Sequence, residues 1–246
     1  MSAKLSPLLL GVLILTACQP VPAAQPISTP EIWQVAASPS LGFLGTEMNQ
    51  CMQSLPQYAI EFREIPAPSL LTQSADVFLR WGAPADFDQP AYELGSDHLV
   101  FLVHSENPLK KLDLIRLQAI FAGEYQTWAE ACPDCLDPPE GEIQLWTYST
   151  GEDIQNLFES TILGEARISS SAFLAASPLD VLAAVGDAPT AIGYIPAAWL
   201  GDNSRLPLEI TDLSESALSL PYLAILPRQA EGDLQAWLFC LSQSIP

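Results

Sequence analysis

Along most of this chain, short apolar runs of strand length alternate with stretches whose apolar residues recur every three or four positions. These are the two periods that mark β-strands and amphipathic helices. Residues 32–37 form the first expected strand, and Ser38-Pro39-Ser40 separates it from a helical pattern over about 41–54. A second strand is expected over 59–64 and a third, fully buried one over 76–81. Residues 99–104 read as a continuous apolar strand, broken by Asn107-Pro108 ahead of a helix over 114–122 that Gly123 caps. Another strand over 143–148 stops at Ser149-Thr150-Gly151, before a helix running through Leu163. A helix around 178–185 precedes a short strand over 191–195. The pattern closes with a strand over 222–226 and an amphipathic helix over 232–242. Strands interleaved with helices, without internal repeats, predict an α/β protein.

The first thirty residues depart from this rhythm. Lys4 precedes an apolar run over residues 8–16, which ends in Leu15-Thr16-Ala17-Cys18. A run this short does not span a bilayer as a folded helix, and small residues ahead of a cysteine suit cleavage before a lipidated Cys18. Residues 1–17 therefore read as a lipoprotein signal peptide, the alternative being an ordinary secretory signal cut near Ala17 or Ala23. Either reading carries the chain out of the cytoplasm, and the first anchors it to the cell membrane through Cys18. Residues 18–30 hold Pro20, Pro22, Pro26 and Pro30 without a regular apolar period, the composition of an extended tether.

Composition sharpens what the body can be. Hydrophobic residues make up 49% of the chain, enough for a substantial core. Nine Lys and Arg against 29 Asp and Glu give a net charge of −20, so nucleic acid, which needs clustered cations, is excluded as a partner. Beyond Cys18 the chain carries Cys51, Cys132, Cys135 and Cys240; export permits disulfides, and four thiols allow three pairings. The Cys-Pro-Asp-Cys stretch at 132–135 sits among prolines and aspartates rather than opening an apolar helix after a strand. A Cys132–Cys135 staple fits that setting better than a redox pair. No second CxxC or HxxxH exists to complete a zinc site, and no metal or other cofactor is implied. His98 and His104 are the only histidines, and GxSxG, HExxH and P-loop patterns are absent, so the residues point to binding rather than catalysis. His98 follows Asp97, which suggests a polar contact rather than a general base.

The stretch His104–Trp128, HSENPLKKLDLIRLQAIFAGEYQTW, resembles the phosphate-type substrate-binding proteins of ABC importers. In that family an NP turn, a helix ending in IFxG and a downstream Trp mark the second lobe. Ala191-Ile192-Gly193-Tyr194-Ile195-Pro196 resembles the same family's IGYxP segment, and the Tyr148–Gly151 turn lies between the two where the family places a ligand loop. The resemblance runs from about Trp33 to Ser242, with its specific motifs in the middle half. It implies a type II periplasmic-binding-protein fold: two α/β lobes joined by crossing strands, with a cleft between them that closes by hinge motion. Residues 31–103 with 205–246 would form the first lobe and 104–204 the second. Because the first and last helices would then share a lobe, Cys51 and Cys240 become a plausible long-range pair. The implied partners are a small-molecule solute, phosphate or another oxyanion, and an ABC permease.

Within that frame, two strand-to-helix turns offer hydroxyls and backbone N–H groups without lysine or arginine: Ser38 and Ser40, and Ser149, Thr150 and Gly151. Ser40 and Thr150 could equally be helix N-caps. Arg80 could pair with a carboxylate or oxyanion, and Trp81 could stack on an organic group, where the family has an Asp and a Ser; the alternative is that Arg80 neutralises a neighbouring acid and Trp81 is core. Trp128, Trp146 and Tyr148 read as core, whereas Tyr194, which follows Gly193, is the aromatic candidate for the cleft. Glu152 and Asp153 follow Gly151 directly and would repel an incoming dianion if they face it. An organic solute, or a surface lipoprotein that keeps the fold for sensing or envelope assembly, are the competing readings.

Overall fold

β1 (Glu31–Ala37) lies between two parallel neighbours, β2 (Tyr58–Glu64) and β3 (Val77–Trp81). These strands open the sheet of the computed structural model, which describes residues 29–84, 87–201 and 207–245. The expected signal peptide, Cys18 and residues 19–28 of the tether lie outside the described residues.

Two further strands tie the sheet together. β4 (Ala91–Val103) pairs over Ala91–His98 with β10 (Ser219–Ile225), and β10 in turn runs antiparallel to β3. Over Leu99–Val103, β4 pairs instead with β8 (Ala191–Pro196), which is followed in the sheet by β6 (Gln144–Tyr148) and β7 (Phe173–Ala175). Along this path the strand order is β2-β1-β3-β10-β4-β8-β6-β7. The small β9 (Pro207–Ile210) pairs with the second part of β4 and with β5 (Lys111–Leu112). One strand thus belongs to two sheet regions, which makes it a crossing element in this α/β fold.

Helices cover both regions. α1 (Gly45–Met52) and α7 (Gly232–Ser244) face the first, with Met48, Cys51, Trp237 and Leu241 buried between them. The Cys51–Cys240 disulfide joins these two helices across a sequence separation of 189, and Cys132–Cys135 forms the second bond. α2 (Ala67–Leu70) covers the other face, where Leu70 packs on Phe78 and Ile225 in a small separate cluster. α3 (Leu114–Ala122), α4 (Trp128–Ala131), α5 (Asp153–Phe158) and α6 (Pro178–Asp187) belong to the second region. Asp113 caps α3 by accepting from Arg116 N–H, and Gly123 ends it in the left-handed conformation, as the sequence pattern required.

Two helix expectations change in detail. The helix expected over 41–54 is a 3₁₀ segment, Pro39–Leu44, running into α1; Pro39 sets the first turn, and Gly42 and Gly45 weaken regular α continuation. The helix after Ser149-Thr150-Gly151 begins only at Asp153, because Gly151 adopts φ +92° and turns the chain first. Past Phe158 it loosens into a π turn, Glu159–Leu163.

Candidate ligand cleft

β3 is buried along its whole length, and Arg80 is its one charged residue. A guanidinium in such a place needs an acceptor, since an unpaired buried charge is strongly disfavoured. That acceptor comes from the other sheet region. Arg80 Nη2 donates to Asp153 Oδ1, and the Trp81 backbone N–H donates to Asp153 Oδ2 at 3.1 Å. The Asp153 side chain is fully enclosed. Burial raises its pKa, opposed by Arg80, the Ser38 hydroxyl and the Trp81 N–H, all of which favour the ionised form. Arg80 Nε, also buried, has no hydrogen-bond partner among the described residues.

Ser38 and Ser40 sit beside this pair at the end of β1. Ser38 N–H donates to Leu79 O at 2.9 Å, and the two serine hydroxyls lie 2.8 Å apart, both buried. Neither caps a helix through its side chain. From the second region, Trp199 Nε1 donates to Ser40 O at 2.7 Å, adding another bridge across the cleft.

The start of α5 closes against the first region at two more points. The Ala67 N–H, at the start of α2, donates to Glu152 Oε2 at 3.2 Å. Gly151 lies against Pro68, where a Cβ would approach Cγ to 2.7 Å. The pKa of Glu152 is raised by burial and by the Asp153 charge, while Ala67 N–H and Arg80 oppose the rise.

Of the residues singled out from the sequence, Ser38, Ser40 and Arg80 therefore converge, with Gly151 at the same junction. Ser149 and Thr150 do not join them: both are exposed and line a separate cavity of about 620 Å³ with Thr147, Gln155, Glu159 and Arg167. Tyr194 is wholly buried in β8, its phenol donating to Gln155 Oε1 at 2.5 Å and lying 2.7 Å from Thr147 Oγ1. Its ring stacks on Phe158 at 4.1 Å. Trp81 is also core, with its indole N–H donating to Leu220 O. Asp97 stands where the strands cross, accepting from Tyr222 OH at 2.5 Å and Ala198 N–H at 2.9 Å. The sequence reading had no role for Ala67, Pro68 or Trp199. The signal for Asp153 was present in β3, where a lone cation in an apolar strand calls for a counter-charge. Among the described residues no group of three or more His, Cys, Asp or Glu could hold a metal ion, and no helix is long and apolar enough to cross a membrane.

Residues 82–234 match the model of the PBP superfamily domain. Among solved structures, the chain is similar to a Clostridium perfringens protein assigned as a phosphate ABC transporter substrate-binding protein, solved with bound phosphate. The two share 16% identity over 86% of this chain and 93% of that one, with a TM-score of 0.72. An ABC-type phosphate transport receptor from Vibrio cholerae gives 17% identity over 85% and 93% of the two chains and a TM-score of 0.62. The CcmR regulatory domain of Synechocystis PCC6803, in complex with 2-PG, gives 13% identity over 87% and 97% and a TM-score of 0.61. At these identities the likeness is one of fold. The comparison with curated proteins gives no match.

Proposed function

The chain belongs to the PBP superfamily, and from that membership we propose that it is an extracytoplasmic, lipid-anchored solute-binding protein that delivers its cargo to an ABC permease. Superfamily and fold are those of binding proteins rather than enzymes. The observation that carries the reading is the convergence of Arg80 and the Trp81 N–H on one buried carboxylate at the junction of the two sheet regions, with the buried Ser38 hydroxyl beside them. A guanidinium, a backbone donor and a hydroxyl form a cradle for an oxyanion, supplying charge and directed hydrogen bonds in a dry site. Phosphate or a related oxyanion is the solute class this donor set fits, in keeping with the phosphate-binding structures that share the fold. The lobes would comprise residues 31–103 with 205–246 and residues 104–204, moving about β4 and the β9–β10 segment. Cys18 would hold the protein at the membrane.

A second reading, a surface lipoprotein that keeps the fold for sensing or envelope assembly, is favoured by the carboxylate already in the cradle and by the occurrence of the fold in a regulatory domain. A receptor for an organic solute is the third. A thermal-shift screen of the full chain in detergent against phosphate, sulfate, molybdate, organic acids, sugars and amines separates them, since a ligand bound only by the folded state raises Tm by mass action. A shift with oxyanions that Arg80→Ala abolishes supports the oxyanion receptor. A shift only with sugars or amines assigns an organic solute, and no shift across the screen favours the non-transport lipoprotein.

A further inference from the structure

We propose that Asp153 is a built-in occupant of the anion cradle, a carboxylate from one lobe standing where the solute's own anionic group would sit on the other. This rests on the oxyanion-receptor reading and specifies what a solute must do to bind: displace Asp153. Both of its oxygens are engaged by the opposite sheet region, one by Arg80 and one by the Trp81 N–H. The side chain is fully enclosed, and the nearby Asp97 takes its partners elsewhere, from the Tyr222 hydroxyl and Ala198 N–H. Arg80 provides the second, independent observation. Its side chain is 9% exposed and meets Asp153 through Nη2 alone, leaving Nε buried without an acceptor among the described residues. A guanidinium presents Nε and Nη as a fork that matches a carboxylate or phosphate in a bidentate manner. Asp153, held by its place at the first position of α5, fills half of that fork. A free anion released from this constraint engages both donors.

The neighbouring contacts explain why the occupant stays in place. Glu152 accepts from Ala67 N–H and Gly151 rests on Pro68, so three consecutive residues, 151–153, dock against the first region. A tethered group acts at an effective concentration of at least about millimolar, and more when preorganised, so a free anion at micromolar concentration competes poorly.

Calorimetric titration of the full chain in detergent with phosphate, sulfate, formate and acetate tests this in the wild type, Asp153→Ala, Asp153→Asn and the double variant Asp153→Ala with Arg80→Ala. Asp153→Ala is expected to bind at least one of these probes about tenfold or more tighter than the wild type, about 1.4 kcal/mol, with the gain lost when Arg80 is also removed. The phosphate and sulfate arm against the formate and acetate arm tells whether the vacated position takes a tetrahedral oxyanion or a planar carboxylate. Asp153→Asn keeps the side-chain shape and gives the reading if Asp153→Ala does not fold; no gain in Asp153→Asn then overturns the proposal. Equal affinities in the wild type and Asp153→Ala overturn the occupant while leaving the receptor reading intact. Folded variants that bind none of the four probes overturn both.

Discussion

Gly151 and Pro68 meet across the cleft so closely that a Cβ on the glycine would lie 2.7 Å from Pro68 Cγ. Gly151 also holds φ +92°, which side-chain-bearing residues rarely adopt. Gly151→Ala is therefore expected to cost about 1–3 kcal/mol from backbone strain, plus the clash. Pro68→Ala in the same background should recover the part due to the clash. Thermal melts of the single and double variants measure both, and additive effects would separate the two residues.

Arg80→Ala leaves Asp153 enclosed without its cation. The expected loss is about 3–5 kcal/mol of folding stability, whereas Arg80→Met combined with Asp153→Asn should lose clearly less. Urea denaturation of the wild type, Arg80→Met, Asp153→Asn and the pair gives the coupling. A coupling near zero would mean the two side chains do not interact in solution.

Burial raises the carboxyl pKa of both Glu152 and Asp153. Arg80 faces both; Glu152 also feels the Ala67 N–H and the Asp153 charge, and Asp153 the Ser38 hydroxyl and the Trp81 N–H. The folded chain thus keeps these protons to higher pH than the unfolded chain. Their contribution to stability falls as pH rises above about 4 and returns on acidification. Self-repulsion of a chain of net charge −20 acts in the same direction. Tm should be higher near pH 4 than near pH 7, and Glu152→Gln should reduce that difference. An unchanged difference in the variant would show that Glu152 titrates alike in both states.

Replacing Cys51 and Cys240 together by alanine should cost about 3–5 kcal/mol, because the bond closes a loop of 189 residues. The same change at Cys132 and Cys135, three residues apart, should cost about 1–2 kcal/mol. Comparable losses from the two pairs would argue against a chain-entropy origin.

Cys18→Ala should move the protein from the membrane to the soluble extracytoplasmic fraction and abolish incorporation of labelled fatty acid. A variant that stays membrane-bound would point to another anchor.

Much of the architecture was readable in the apolar rhythm because β3 and β8 are buried along their whole length, as is the Val35–Ala37 end of β1, and their sequences say so. The first part of β4, Ala91–His98, was not. It alternates weakly, with Glu93, Gly95 and Asp97 interrupting it, because this crossing strand is only partly covered. β5, β7 and β9 are two to four residues long, too short to show a period. Tyr194 looked like a cleft residue because it follows Gly193. That glycine instead admits Val181 and Trp146, which a Cβ would meet at 2.5 and 3.2 Å, so Tyr194 stays within a central strand. Arg80 and Asp153 were each visible as unusual residues. Their meeting depends on how two sheet regions close over 73 positions of sequence, which no local pattern encodes.

The bond between Cys51 and Cys240 also makes nearly the whole folded body a single covalent ring. A protease that nicks one loop anywhere between these residues cuts the ring without releasing a fragment, so both pieces remain in one molecule until a reductant arrives. Under proteolytic attack a severed loop is then damage that the fold can hold together, and the nick shows on a denaturing gel only after reduction.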